Sequence, residues 1–158
     1  MYQHSQPGKL MRVAMLGGMA VLLIIGAMIL EAATADGVLQ PPEQNALLAL
    51  MGGIFVLVVM LLLMHRLTAI VDPEGVLISY GIGIISRRIR HQDIAHCLQV
   101  KNPWWWGWGM RKIPGGWMWN VSGLSAIELK LKNGRVFRIG TDEPEMLAAA
   151  INERLASS

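Results

Sequence analysis

A chain of 158 residues is long enough for one compact domain, but 53% hydrophobic against 16% charged residues is too apolar for a wholly solvated one. A single cysteine, Cys97, excludes an internal disulfide, and a net charge of +3 is too small to point to nucleic acid. The charge is also segregated: Lys9 and Arg12, then Glu31, Asp36 and Glu43, and from Arg66 onward 12 basic against 8 acidic residues.

Taken in chain order, residues 1–12 read as a short polar tail. Val13–Leu30, with 18 residues, and Ala46–Met64, with 19, carry no charge. At about 1.5 Å per residue, helices of these lengths match the roughly 30 Å hydrocarbon layer of a bilayer. A helix satisfies its own backbone in lipid, and the chain lacks the mass to bury two such helices elsewhere. The pattern predicts a two-helix transmembrane hairpin over residues 13–64, with a short outer loop over 31–45 that contains Pro41-Pro42. A cleaved signal peptide competes for the first segment, with Ala33-Thr34-Ala35 as its small-residue site. The apolar run is longer than such peptides carry, and Glu31 and Thr34 blur the cleavage region. Basic residues flank the outer ends of the hairpin and are missing from its loop, so both termini are expected in the cytoplasm and the hairpin in the inner (plasma) membrane. Ala14-x3-Gly18 and Ala49-x3-Gly53 allow close helix approach, either between the two spans or in self-association.

From Leu67 the period changes to that of strands. Leu67–Val71 and Val76–Tyr80 flank Asp72-Pro73-Glu74-Gly75, whose Pro and Gly suit a type I turn. Ile84–Arg90, His96–Lys101, Met110–Ile113 and Trp117–Val121 follow, with Gly81-Ile82-Gly83 and Pro114-Gly115-Gly116 as turns. In Ile127–Leu131 apolar and charged residues alternate, and Arg135–Ile139 returns. A three-residue loop, Lys132-Asn133-Gly134, sets Leu129 opposite Phe137 and Ile127 opposite Ile139, whereas a two-residue loop would mix core and solvent faces. Asp142 and Glu145 fit a helix cap around Pro144, and Leu147, Ile151 and Leu155 form one apolar stripe. The fold class expected is therefore a membrane helical hairpin plus a mostly-β domain over 66–158. That domain has about seven antiparallel strands closed by a C-terminal helix.

Trp108-Gly109-Met110-Arg111, Pro114-Gly115-Gly116-Trp117, Asn120-Val121-Ser122-Gly123 and Ile139-Gly140-Thr141-Asp142-Glu143-Pro144 carry a resemblance. Residues 66–156 resemble the bacterial pleckstrin-homology-like (PH-like) domains of small membrane proteins. The resemblance implies two antiparallel sheets closed by a C-terminal helix, and a role in binding or assembly with no general ligand. Phosphoinositide-binding relatives place basic residues around their first hairpin. Here that turn carries Asp72 and Glu74, which speaks against a phosphoinositide ligand.

Two groups of residues are candidate contacts with lipid or a partner. Arg87, Arg88 and Arg90 form one basic cluster, with Arg88 and Arg90 on one strand face and Arg87 on the other, and Arg111 and Lys112 form a second. They suit anionic headgroups or simply a solvated face on the positive side of the membrane. Trp104, Trp105, Trp106 and Trp108 lie in a loop flanked by Pro and Gly; Trp117 and Trp119 share one face of a strand and read as core. The loop suits the lipid interface, internal packing or a partner hot spot.

Other motifs carry little. His91, His96 and Cys97 lack the spacing and number of a zinc set, and Cys97 reads as a buried apolar residue. No phosphate loop or nucleophile triad is nominated, and no cofactor is expected. Asn120-Val121-Ser122 matches a glycosylation sequon that a cytoplasmic position would make irrelevant. The expectation is a non-enzymatic, membrane-tethered binding or scaffold module that contacts the bilayer surface or a membrane-protein partner. The alternative is an accessory subunit for transport or envelope assembly that acts through its spans. A membrane enzyme would need polar groups clustered within the spans, which the sequence does not offer.

Overall fold

The computed structural model describes residues 1–35 and 40–157. It divides into two compact units, residues 12–62 and the combination of Met1–Met11 with Leu63–Ser158.

The first unit is built from helices α1 (Lys9–Ala35) and α2 (Pro41–Met64). Both are long and apolar enough to cross a membrane, and Ile24, Met28, Met51 and Phe55 are among the large side chains they leave exposed. Exposed apolar surface on this scale is unfavourable in water and costs nothing in lipid. The glycines receive leucines from the facing helix. A Cβ built at Gly18 would stand 3.5 Å from Leu57 Cδ1, at Gly26 3.7 Å from Leu50 Cδ1, and at Gly53 3.3 Å from Leu22 Cδ1. The small-residue pairs thus serve packing of the helices on each other. Pro41 and Pro42, expected in the loop, begin α2 instead, because the first turn needs no donor from them. The centre of the expected outer loop, residues 36–39, lies outside the described residues, as do the side chains of Thr34 and Ala35 in the small-residue triplet.

The second unit holds two sheets. The first contains β1 (Tyr2–Pro7), β2 (Arg66–Asp72), β3 (Gly75–Tyr80) and β4 (Ile85–Arg90), in that order and all antiparallel. The expected polar tail is therefore corrected: Tyr2–Pro7 pairs along the whole of β2, from Tyr2 opposite Val71 to Pro7 opposite Arg66. Its inward positions are Tyr2, His4 and Gln6, of which Gln6 is buried, so it has strand geometry without an apolar period. β2 and β3 show the alternation plainly, with Leu67, Ala69 and Val71 opposite Tyr80, Ile78 and Val76, all buried.

The second sheet contains β5 (Ile94–Lys101), β6 (Gly109–Ile113), β7 (Gly116–Asn120), β8 (Ser125–Leu131) and β9 (Val136–Gly140), ordered β5-β8-β9-β7-β6. The β8–β9 hairpin has the expected register, with Leu129 opposite Phe137 and Ile127 opposite Ile139. Gly134 closes its three-residue loop at φ +81° and donates its N–H to the Leu131 carbonyl at 2.9 Å. Residues 66–158 hold eight strands rather than about seven, and β1 brings the count to nine among the described residues. One pair is parallel: β9 enters between β8 and β7 and runs alongside β7, with Gly116 opposite Val136. The backbone of β9 comes so close there that a Cβ on Gly116 would collide with the Val136 carbonyl.

Between the sheets, Trp119 meets Tyr80 at 5.3 Å and Phe137 at 5.7 Å between ring centroids, tying β7 and β9 to β3. Helix α3 (Pro144–Ala156) lays Leu147, Ala148 and Ile151 on this core. Burial of Leu147 and Ile151 contributes about 2 kcal/mol each on the usual area scale. The expected Asp142 cap is corrected. Glu143 holds the cap position without a side-chain bond, and Asp142 turns to His4 Nε2 at 2.6 Å. Glu143 takes Tyr2 Oη at 3.2 Å, so the start of α3 is tied to β1. Burial, then the bond to Glu143, raises the Tyr2 phenol to about 12.

Candidate functional site

The tryptophan loop is a single 3-10 turn, Trp104–Trp106, set between Pro103 and Gly107. The Trp106 and Gly107 N–H groups close it on the Pro103 and Trp104 carbonyls at 3.1 and 3.2 Å. Trp104 and Trp105 are 73% and 66% exposed and meet edge to face with centroids 6.0 Å apart. Trp106 is the anchor. Its ring lies 4.8 Å under the Arg138 guanidinium, which is forked to Glu128 Oε2 at 2.7 and 2.8 Å and to Asn102 Oδ1 at 3.1 Å. Glu128 and Arg138 are cross-strand partners on β8 and β9, so the ion pair is fixed by the sheet. One turn therefore buries one indole face against a half-buried cation and holds two indoles in the open.

The stem of the loop is placed as tightly. Arg111 Nε donates to the Trp108 carbonyl at 3.0 Å, and a Cβ at Gly109 would lie 3.9 Å from Met64 Cε. Met64 ends α2, and the next residue, His65, accepts the Gly8 N–H at 2.9 Å, one residue before α1 begins. The Trp108–Gly109 stem thus stands where the chain enters and leaves this unit.

The expected core pair Trp117 and Trp119 is split. Trp119 is buried against Tyr80 and Phe137, whereas Trp117, at the start of β7, is 45% exposed.

The basic residues are dispersed rather than gathered. Arg88 is held by the first hairpin turn, with Nη1 2.6 Å from Asp72 Oδ2 and 3.2 Å from Glu74 Oε2, so the acids expected to repel a phosphoinositide neutralise a neighbouring base. Burial alone would raise the Asp72 carboxyl. Bonds from Arg88 and from the N–H groups of Gly75 and Glu74, with the guanidinium charge, together outweigh this and hold it below its ordinary value. Arg90 is exposed at the end of β4, away from the loop. Arg111 belongs to the tryptophan stem, while Lys112, two strand positions from the β6–β7 turn, lines a hollow with Arg87 and Arg135.

His91 and Cys97 are buried and separately engaged. His91 Nε2 lies 2.8 Å from the Asp72 carbonyl, and Cys97 packs on β5 opposite Leu129 with its thiol pushed up to about 11 by burial. His96 is exposed. Among the described residues no group of three or more His, Cys, Asp or Glu is placed to hold a metal ion. Asn120 of the sequon is 0% exposed, donating to the Gly123 carbonyl at 3.0 Å and accepting from the Ser122 N–H at 3.2 Å. It ends β7 and ties down the turn that leads to β8.

Arg138 and Asn102 were not singled out by sequence reasoning. A signal existed for Arg138: the register that pairs Leu129 with Phe137 also sets Glu128 opposite Arg138. Nothing local marks Asn102, whose partner lies 36 residues away. No protein-family model matches the chain, and neither a curated protein nor a solved structure matches it.

Proposed function

We propose that this protein is a membrane-tethered, non-enzymatic binding module. In this reading α1 and α2 cross the inner membrane, and a PH-like cytoplasmic domain rests its Trp104–Trp105 loop in the headgroup layer. The observation that carries the proposal is the geometry of that loop. Two exposed indoles are held out by a third that is pinned under Arg138, on a stem beside the last residue of α2. An indole at a bilayer interface buries its ring and keeps its N–H hydrated, which is the environment two open tryptophans beside a span would seek. The pairing of β1 with β2 supports the hairpin, since both ends of the two helices that adjoin the domain belong to one folded unit. It also speaks against cleavage near Ala33–Ala35, which would remove a strand. Lys9, Arg12 and Arg66 beside these ends support the cytoplasmic side. Two mostly antiparallel sheets and a C-terminal helix support the PH-like reading.

The test is quenching of tryptophan fluorescence in full-length protein reconstituted with lipids brominated near the glycerol backbone. Wild-type emission is expected to be quenched strongly, and a Trp104→Phe/Trp105→Phe variant to lose most of that quenching. Equal quenching of the two proteins would remove the loop from the membrane.

A further inference from the structure

Two sheets packed face to face leave two open seams. Helix α3 closes one of them, lying on β5 and β8 of the second sheet and β1 and β2 of the first. The other seam runs between β4 and the β6–β7 hairpin, and it holds a hollow of about 430 Å³. Leu131, Val136 and Trp117 line it with accessible apolar surface above the buried Phe137, and Arg87, Lys112 and Arg135 line it with positive charge. No carboxylate lines it. The Arg87 guanidinium lies 4.8 Å over the Phe137 ring, a stacking that leaves its N–H edge free for an anion. Lys112 and Arg135 are exposed, and among the described residues neither side chain has an ion-pair partner.

The hollow continues into a second one of about 360 Å³ that shares Arg87 and Leu131 with it and adds Lys132, Arg88 and a single acid, Asp93. The result is an elongated groove with an apolar floor and a cationic rim. On either side lie β4 and β6, the edge strands of their sheets, and among the described residues no strand pairs with their outer edges. The groove is at the β6–β7 turn, the end of β6 opposite Gly109 and Met64, and so away from the residues that adjoin the helices.

We propose that this groove binds an extended acidic peptide segment of a partner protein, with acidic side chains alternating with apolar ones. The three unpaired cations select carboxylates, and the apolar floor selects side chains between them. The free strand edges offer backbone hydrogen bonds to an extended chain. A compact phosphate would use the cations and leave the exposed faces of Leu131, Val136 and Trp117 uncovered. This site is separate from the Trp104–Trp105 loop, so loss of either function leaves the other intact.

The test is selection of a random heptapeptide display library on full-length protein in phosphatidylcholine nanodiscs, with a Lys112→Gln/Arg135→Gln variant selected in parallel. The variant spares Arg87 and its contact with Phe137, and an unchanged melting temperature confirms its fold. Wild-type protein is expected to enrich peptides carrying Asp or Glu between Val, Ile, Leu or Phe. Their affinity is expected to fall at least about tenfold in the variant, as for loss of two charge-assisted contacts. The Trp104→Phe/Trp105→Phe variant is expected to bind them unchanged. Selection without acidic enrichment, or equal affinity for the Lys112→Gln/Arg135→Gln variant, would overturn the proposal. So would displacement of the peptides by inorganic phosphate or by phosphatidylglycerol vesicles at comparable occupancy.

Discussion

Asp72 stands at the first position of a hairpin turn, where its carboxylate accepts from the Glu74 and Gly75 N–H groups at 2.9 and 3.0 Å and from Arg88. Each of these bonds favours the charged form, and the carboxyl titrates below its ordinary value of 3.8. A depressed folded-state value stabilises the fold above the unfolded value, and the contribution is lost as pH falls through the folded one. Arg88→Gln removes the partner that lowers Asp72 most. It is expected to bring the melting temperatures at about pH 7 and about pH 2.5 closer together than in wild type, with the difference arising below about pH 4. Thermal melts across that range check this; parallel curves for the two proteins would show that Arg88 does not stabilise the turn. The hairpin turn itself was legible from Asp72-Pro73-Glu74-Gly75. That Arg88 closes on it was not, because the contact depends on β3 pairing with β4, where Leu77 is opposite Arg88.

Elements that follow one period along the chain were read correctly, and those fixed by distant backbone were not. β8 and β9 alternate cleanly and are joined by Asn133-Gly134, so composition set both faces and register. β1 has no apolar period, since Tyr2, His4 and Gln6 face inward, and only the edge of β2 makes it a strand. The parallel pairing of β7 with β9 was equally hidden, since it depends on where a separate hairpin docks. Its one local mark is Gly116. Gly116→Ala forces a methyl into the Val136 carbonyl and is expected to cost about 3 kcal/mol or more, enough to unfold a marginal domain. Gly134→Ala meets open space at φ +81° and is expected to cost only about 1 kcal/mol, the penalty of a left-handed alanine. Chemical denaturation of both variants gives the comparison, and similar losses would remove the special role of the parallel seam. In the candidate site, the exposed Trp104 and Trp105 matched their loop position. The anchor of Trp106 required the second sheet, and the Arg87–Lys112–Arg135 groove required both.

At the scale of the molecule, two apolar helices and a domain assembled from both ends of the chain limit the arrangements in a bilayer. Because β1 precedes α1 and β2 follows α2, their pairing would require the two helices, if both span a bilayer, to cross it in opposite senses. In cells, Gln40→Cys is expected to react with a membrane-impermeant maleimide added outside, and Ser157→Cys only after lysis. Both would be made in a Cys97→Ala background. Labelling of Ser157→Cys on intact cells would reverse the orientation; labelling of neither site on intact cells would remove the outer hairpin.

If α1 and α2 span a bilayer as proposed, the shared sheet also couples insertion to maturation. During synthesis Tyr2–Pro7 leaves the ribosome long before Arg66–Asp72, and must wait for its mate while both hydrophobic stretches are threaded into the bilayer. A chain that inserts only one of them strands those six residues on the wrong side, and β2 is left with a raw edge of unanswered amides and carbonyls. In that reading the finished sheet forms only in a correctly threaded molecule.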